Sequence, residues 1–150
     1  MSTAPNESLL KKIGWDKVWV PNSSPPDLGT VPLDFPRMSS TEVGEWQSKC
    51  TAWLSYAIIQ EGLAHSHHKE LRREFARRVN ETIVREGIKQ RTYDLQVAEA
   101  VDKDPNLAKV QEEIASWDSV EHMWSRAQEA YKSYTQLCRD EIYRRSRDHA

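Results

Sequence analysis

The sequence predicts an all-α protein, in which a long antiparallel helical hairpin follows an extended, proline-rich N-terminal arm and assembles into oligomers. Charged residues make up 29% of the 150 residues, but there are only five glycines, a balance typical of long helices with polar faces. Apolar residues recur at spacings of three and four after residue 38. All but one of the seven prolines precede that point. We therefore divide the chain into an arm, residues 1–38, and a helical domain, residues 39–150.

The arm differs from an ordinary polar tail because it carries several large apolar side chains. Its prolines and serines alone would indicate disorder, whereas its apolar groups indicate docking on the same subunit or on a neighbour. Between residues 15 and 36 the only basic residue is Lys17, so nucleic acid is not the expected partner. We predict that the arm binds protein through Trp15, Val18, Trp19 and Val20.

The start of the first long helix has a clear local signal. Ser39 is placed to be the N-cap, and Glu42, three residues later, completes a capping box. From Ser40 the helical pattern continues to about Ala100, with local weakening at Gly62 and Gly87, because glycine costs about 1 kcal/mol relative to alanine inside a helix.

The second long helix is predicted to begin at Pro105, with Asp104 as its N-cap. Two long helices joined by a tight turn must run antiparallel. A turn at about residue 103 would place residues 139–147 opposite roughly 59–67. Cys138 would then lie near His68, so a disulfide with Cys50 is not expected.

The second helix has more aromatic surface than one partner helix can cover. The chain is therefore expected to fold back near Gly62, to self-associate, or both. The predicted oligomer interface consists of Trp117, Trp124, Tyr131 and Tyr134.

A basic block is hidden by the formal net charge of −2. Residues 65–91 carry eight Lys/Arg against four Glu, whereas residues 92–121 carry two Lys against eight Asp/Glu. An apolar stripe, Leu71, Phe75, Val79 and Ile83, leaves the arginines on the solvated side, where they could contact phosphates. The alternative is a solvated face on which Glu74 pairs with Arg78 and Glu81 with Arg85. The candidate nucleic-acid-binding residues are Arg72, Arg73, Arg77, Arg78, Arg85, Lys89, Arg144 and Arg145.

Other kinds of site are not indicated. His65, His67 and His68 cluster, but their spacing does not supply a full zinc ligand set, so we expect a solvated helical turn with no metal and no other cofactor. The sequence has no phosphate-cradling glycine loop and no nucleophile with a matching base, which argues against an enzyme. No apolar run reaches the length of a membrane helix. The chain is expected to be cytoplasmic, with reduced thiols.

Several of these features, taken in order, resemble the UvsY-type recombination mediators of tailed phages. They begin with Trp53-Leu54, followed by a basic helical run at 70–79. An Ala-Val-Asp-Lys-Asp turn at 100–104 then precedes a second amphipathic helix that contains Trp117. The resemblance covers about residues 45–140. Arg78 matches a basic position of the family. Ala76 departs from another, for which Arg77 could compensate.

The resemblance implies a non-enzymatic, ring-forming helical protein in the cytoplasm of an infected bacterial host. It implies that the protein binds single-stranded DNA, helps displace the single-strand-binding protein and loads a RecA-like recombinase. The alternative is a phage structural or adaptor protein that assembles through helical packing and its N-terminal arm.

Overall fold

A computed structural model describes residues 7–12, 14, 23–30, 32 and 34–149, with only the backbone described for residues 7–9. These residues form helices and no strand, which confirms the predicted all-α class. No helix among them combines the length and the apolar character needed to cross a membrane. The elements are α1 (Glu7–Lys12), a 3-10 turn (Phe35–Arg37), α2 (Ser40–Glu86), α3 (Tyr93–Lys103) and α4 (Pro105–Asp148).

The predicted capping box forms at the start of α2. The Glu42 amide donates to Ser39 Oγ at 3.2 Å, and the Ser39 amide donates to Glu42 Oε2 at 2.6 Å. Each side chain thus satisfies one amide that has no acceptor within the first helical turn. Val43, in the same turn, is fully buried and anchors this end of the helix.

The end of α2 corrects the prediction of a helix that continues to about Ala100. Gly87 adopts a φ of 63°. The Ile88 amide then donates to the Ile83 carbonyl at 3.1 Å, and the Gly87 amide donates to the Val84 carbonyl at 3.4 Å. This is the Schellman arrangement, which closes a helix and favours glycine at the left-handed position. Gly87 therefore ends α2 instead of merely weakening it.

The turn between α3 and α4 follows the prediction. Helix α4 begins at Pro105, and the Asp104 carboxylate accepts a hydrogen bond of 3.0 Å from the Asn106 amide. Residues from all three helices form a buried cluster, in which Val79 and Leu107 are fully buried. Ile88 and Ala100 complete that core, with Phe75, Ile83, Val97 and Val101 packed against it.

The described residues fall into two compact units, and α2 passes unbroken from one to the other at Gly62. The predicted fold-back near Gly62 is therefore wrong. The first unit contains the residues up to Glu61 together with those from His122, and the second spans Gly62–Glu121. Within each unit, α2 packs antiparallel against α4.

Contacts between α2 and α4 within the first unit correct the predicted register of these two helices. Arg145 contacts Ser40, and Tyr131 contacts Trp53, so residues 139–147 do not lie opposite 59–67. The difference arises because the chain forms a separate helix, α3, between the two long ones, which moves the effective turn from about residue 103 towards the start of α3.

The corrected register also changes the surroundings of the two cysteines. Cys50 and Cys138 are both fully buried free thiols of the first unit. Burial, followed by the influence of the neighbouring Cys138, raises the pKa of the Cys50 thiol to about 11. Cys138 therefore lies beside Cys50 and not near His68, where the predicted register placed it.

The described part of the arm packs on α2 within the first unit. The indole Nε1 of Trp53 donates to the Pro26 carbonyl at 2.8 Å. The Phe35 ring meets the Trp46 ring edge-on, with centroids 6.5 Å apart. Trp15, Val18, Trp19 and Val20 lie outside the described residues, so their assignment as a partner-binding segment stays a prediction.

Candidate nucleic-acid interface

The predicted apolar stripe of α2 orients the basic block in the second unit. Leu71 is 5% exposed and Val79 is fully buried, with Phe75 and Ile83 packed against the core of that unit. Arg72, Arg73, Arg77 and Arg85 are exposed, and Arg78 is partly exposed. The burial of the stripe thus leaves these arginines on the solvated side of α2, as the spacing predicted.

An open depression of about 390 Å³ lies along this side of α2. Its lining residues are one helical turn or one position apart, so they form a continuous strip on a single helix. Three of them are Lys or Arg, and no acidic side chain contributes to the wall. The lining consists of His65, His68, Lys69, Arg72, Arg73 and Ala76.

Arg72 and Arg73 differ from the other arginines of α2 in their pairing. Neither makes an ion pair or hydrogen bond with another residue that the structure describes. Their donors are therefore open to solvent or to an anionic ligand. A guanidinium presents five N–H groups in a planar fork, which suits two oxygens of one phosphate.

The other arginines of α2 are paired with acids on the same helix. Arg78 donates to Glu74 at 2.6 Å and Arg77 to Glu81 at 2.5 Å, four residues apart in each case. Arg85 pairs with its neighbour Glu86 at 2.9 Å. The predicted Glu74–Arg78 pair is confirmed, whereas the predicted Glu81–Arg85 pair is replaced by Glu81–Arg77. Such exposed pairs contribute about 0–1 kcal/mol each, so a phosphate could displace the acid at little cost.

Lys89, a predicted binding residue, falls beyond the end of α2. A continuous helix would have placed Lys89 in one row with Arg78 and Arg85, but α2 ends at Glu86. Lys89 is exposed in the link between α2 and α3. Its position relative to the depression is thus not set by helical spacing.

The C-terminal arginines belong to the first unit, whereas the basic block belongs to the second. The Arg145 side chain is only 16% exposed. It donates to the carbonyls of Met38 and Phe35 at 2.6 and 3.0 Å and to the Glu141 carboxylate at 2.6 Å. Arg144 pairs with Glu141 and with Asp148, both at 2.8 Å. Both guanidiniums are thus engaged within the first unit, and the predicted register that placed residues 139–147 opposite 59–67, beside the basic block, is wrong.

Glu141 is the acceptor that holds these two arginines. Hydrogen bonds from Arg144 first, and then from Arg145, lower the pKa of its carboxyl to about 2. The carboxylate is therefore charged throughout the physiological range, and it fixes the guanidinium of Arg145 against the start of α2.

Three of the four aromatic residues predicted to form an oligomer interface contact α2 of their own chain. In the first unit, Trp124 meets Tyr56 at 5.5 Å between ring centroids, and Tyr131 meets Trp53 at 5.7 Å. In the second unit, Trp117 meets the His67 ring at 4.4 Å. Tyr134 is partly buried. The aromatic surplus that motivated the interface is thus largely taken up within the chain, and self-association stays a prediction.

The structure also brings together a group of side chains that the sequence did not predict. The Glu121 carboxylate of α4 lies 2.7 Å from His65 Nδ1 and 3.0 Å from His68 Nδ1. Burial raises the pKa of Glu121, but the hydrogen bonds from His65 and His68 together outweigh that effect, so its pKa is lowered. The predicted solvated turn is wrong for His67, which is buried, and holds for His65, which is exposed. The sequence showed the spacing of the histidines, but it did not show that Glu121 of α4 faces His65 and His68.

In the comparisons with known proteins, no protein family, no curated protein and no solved structure matches this chain.

Proposed function

We propose that this protein binds single-stranded DNA without catalysing a reaction, through the basic strip that lines the depression of α2. The proposal rests on one observation above all. Arg72 and Arg73 are adjacent, exposed and without an ion-pair partner in the described part of the chain, beside Lys69 on the wall of one depression. Phosphates are the ligands that such a group of fixed cations suits.

The proposed binding has little sequence preference, because cations on a helix face contact the backbone and do not read base edges. Affinity per chain is correspondingly modest. We propose that several copies act together as a homo-oligomer, since linked sites raise the effective concentration of one another. The exposed apolar residues Met123 and Leu137 of α4, 54% and 51% exposed and fourteen residues apart on one helical side, are suited to a contact between copies.

The residue pattern that resembles the UvsY-type mediators supports a more specific role. On that basis we propose that the DNA-bound oligomer helps a RecA-like recombinase replace the single-strand-binding protein. Arg78, which matches a basic position of the family, lies on the same helix four residues beyond Glu74, its partner.

The decisive experiment measures the affinity for a labelled oligonucleotide at several salt concentrations. We expect log affinity to fall linearly with log salt, and the slope to decrease by about 0.7 for each phosphate that a variant no longer neutralises. The double variant Arg72→Ala/Arg73→Ala is therefore expected to bind more weakly and with a smaller slope. The matched control is Arg126→Ala/Lys132→Ala, which removes the same charge from exposed positions of α4. Equal binding by both variants would mean that net charge, and not the strip, determines the affinity.

A structural or adaptor protein is the second candidate, and a separate observation favours it. Val84, Tyr93 and Leu95, on either side of the link between α2 and α3, are 82%, 51% and 53% exposed. Large apolar side chains at such exposure are typical of surfaces that bind protein. If the wild-type chain shows no salt-dependent binding to single-stranded DNA even at low salt, the adaptor role replaces the DNA-binding role.

A further inference from the structure

Two pairs of potential metal ligands face each other in the second unit. His65 and His68 lie three residues apart on α2, and Asp118 and Glu121 lie three residues apart on α4. Residues with this spacing occupy the same side of a helix, one turn apart. The imidazole of His68 and the carboxylates of Asp118 and Glu121 each place one ligand atom within 4.8 Å of the others.

We propose that His68, Asp118 and Glu121 bind a divalent transition-metal ion of the zinc class, and that His65 positions Glu121. One imidazole nitrogen and two carboxylate oxygens match the ligand types that zinc accepts. The imidazole disfavours magnesium and calcium, which prefer sites built entirely from oxygen. Zinc bonds of about 2.0–2.2 Å in tetrahedral geometry place ligand atoms about 3.4 Å apart, so small side-chain rotations complete the site.

The role of His65 follows from its contact with Glu121. Its Nδ1 lies 2.7 Å from Glu121 Oε1, whereas His68 Nδ1 lies 3.0 Å from the other oxygen, Oε2. His65 is 62% exposed, and it is not among the three groups whose ligand atoms converge. A hydrogen bond from outside the ligand set orients the coordinating carboxylate, which is the usual arrangement around protein-bound metals.

A simpler account treats Glu121 as an acceptor that bridges two histidines. That account explains the two short contacts but does not require Asp118. The metal site accounts in addition for the convergence of an Asp118 oxygen on the His68 and Glu121 ligand atoms.

This inference goes beyond the proposed DNA binding, although His68 contributes to both surfaces, and it is tested without DNA. Calorimetric titration of the metal-free 150-residue chain with Zn²⁺ is expected to show one bound ion per chain. Co²⁺ is expected to bind in its place and to give the visible absorption of a site with mixed nitrogen and oxygen ligands. Zn²⁺ is also expected to raise the midpoint of thermal unfolding, because it binds only the folded state.

The variants separate the ligands from the positioning residue. His68→Ala and Asp118→Asn are each expected to abolish binding, as is Glu121→Gln. His65→Ala is expected to weaken it by about 10–100-fold, the usual effect of removing a group that orients a ligand. His149→Ala, at an exposed position near the end of α4, is expected to bind like the wild type. The circular dichroism of each variant at 222 nm shows that the helices are retained.

Several results would overturn the proposal. A wild-type chain that binds no Zn²⁺ at micromolar concentration excludes the site. Binding that survives both His68→Ala and Asp118→Asn means that the ion is held elsewhere. If His65→Ala loses Zn²⁺ binding as completely as His68→Ala does, the positioning role is contradicted, because His65 would then be a ligand itself.

Discussion

Arg145, near the end of α4, donates a hydrogen bond of 2.6 Å to the carbonyl of Met38, which precedes α2. The same guanidinium reaches the Phe35 carbonyl and Ser40 Oγ, so one side chain ties the last turn of α4 to the entry into α2. The contact defines the register of the two long helices in the first unit, because it joins residues more than one hundred positions apart in the sequence.

We expect Arg145→Ala to lower the free energy of unfolding by about 1–3 kcal/mol. The change leaves the Met38 carbonyl without this donor and the Phe35 carbonyl with the Met38 amide alone, and an unsatisfied polar group at a partly buried site costs about that much. Urea denaturation monitored by circular dichroism measures the effect. Arg147→Ala removes the same charge from an exposed position and is expected to be nearly neutral. Equal decreases in the two variants would contradict a specific role for Arg145.

The pH dependence of stability is expected to report the Glu141 contact. The pKa of Glu141 falls from 4.5 to about 2 in the folded protein, first through Arg144 and then through Arg145. A carboxyl group whose pKa is lower in the folded state stabilises the protein at pH values above its pKa in the unfolded chain. This contribution decreases as the pH falls towards the pKa in the folded state. The contribution is thus complete above about pH 4.5 and disappears towards pH 2.

Glu141→Gln tests this assignment through urea midpoints measured between pH 2 and pH 7. The difference from the wild type is expected to be largest above pH 4.5 and to shrink towards pH 2. The control is Glu129→Gln, at an exposed position of α4. If the difference in urea midpoint between Glu141→Gln and the wild type stays constant over this range, the loss of stability in acid does not arise from this carboxyl.

Two glycines, one inside α2 and one at its end, are expected to respond in opposite directions to the same substitution. Gly87 has a φ of 63°, where a Cβ is strained, so Gly87→Ala is expected to destabilise the protein by about 1–2 kcal/mol. Gly44 lies within the helix, and a Cβ there meets no atom within 4 Å. Gly44→Ala is therefore expected to stabilise by about 0.4–1 kcal/mol. The midpoint of thermal unfolding is measured for both variants. A shift of this midpoint in the same direction for both would contradict the Schellman assignment.

The paired arginines of the basic block are expected to matter less for DNA binding than the unpaired ones. Arg77 and Arg78 must first release Glu81 and Glu74, so Arg77→Ala/Arg78→Ala is expected to reduce the salt slope by less than the double variant at the depression does. Neither arginine belongs to the buried stripe, so helical content is expected to be unchanged. If this variant reduces the salt slope by more than the Arg72→Ala/Arg73→Ala variant does, the DNA interface lies nearer the end of α2 than we propose.

The sequence alone was sufficient for features that depend on residues a few positions apart. The capping box of Ser39 and Glu42 and the start of α4 at Pro105 were both predicted correctly. The buried side of α2, with Leu71 and Val79, also followed from the sequence. These features are governed by local hydrogen bonds and by the helical repeat, and both can be recognised within about one or two turns of sequence.

The register of α2 against α4 was decided only by the tertiary structure. One left-handed glycine ends α2 early, and the separate helix α3 then changes which residues of α4 face it. That change places Cys138 beside Cys50 and brings Glu121 to His68. It also engages Arg145 with the Met38 and Phe35 carbonyls at the start of α2. Helical periodicity identifies which side of each helix is buried, but it repeats every turn and is therefore compatible with many registers.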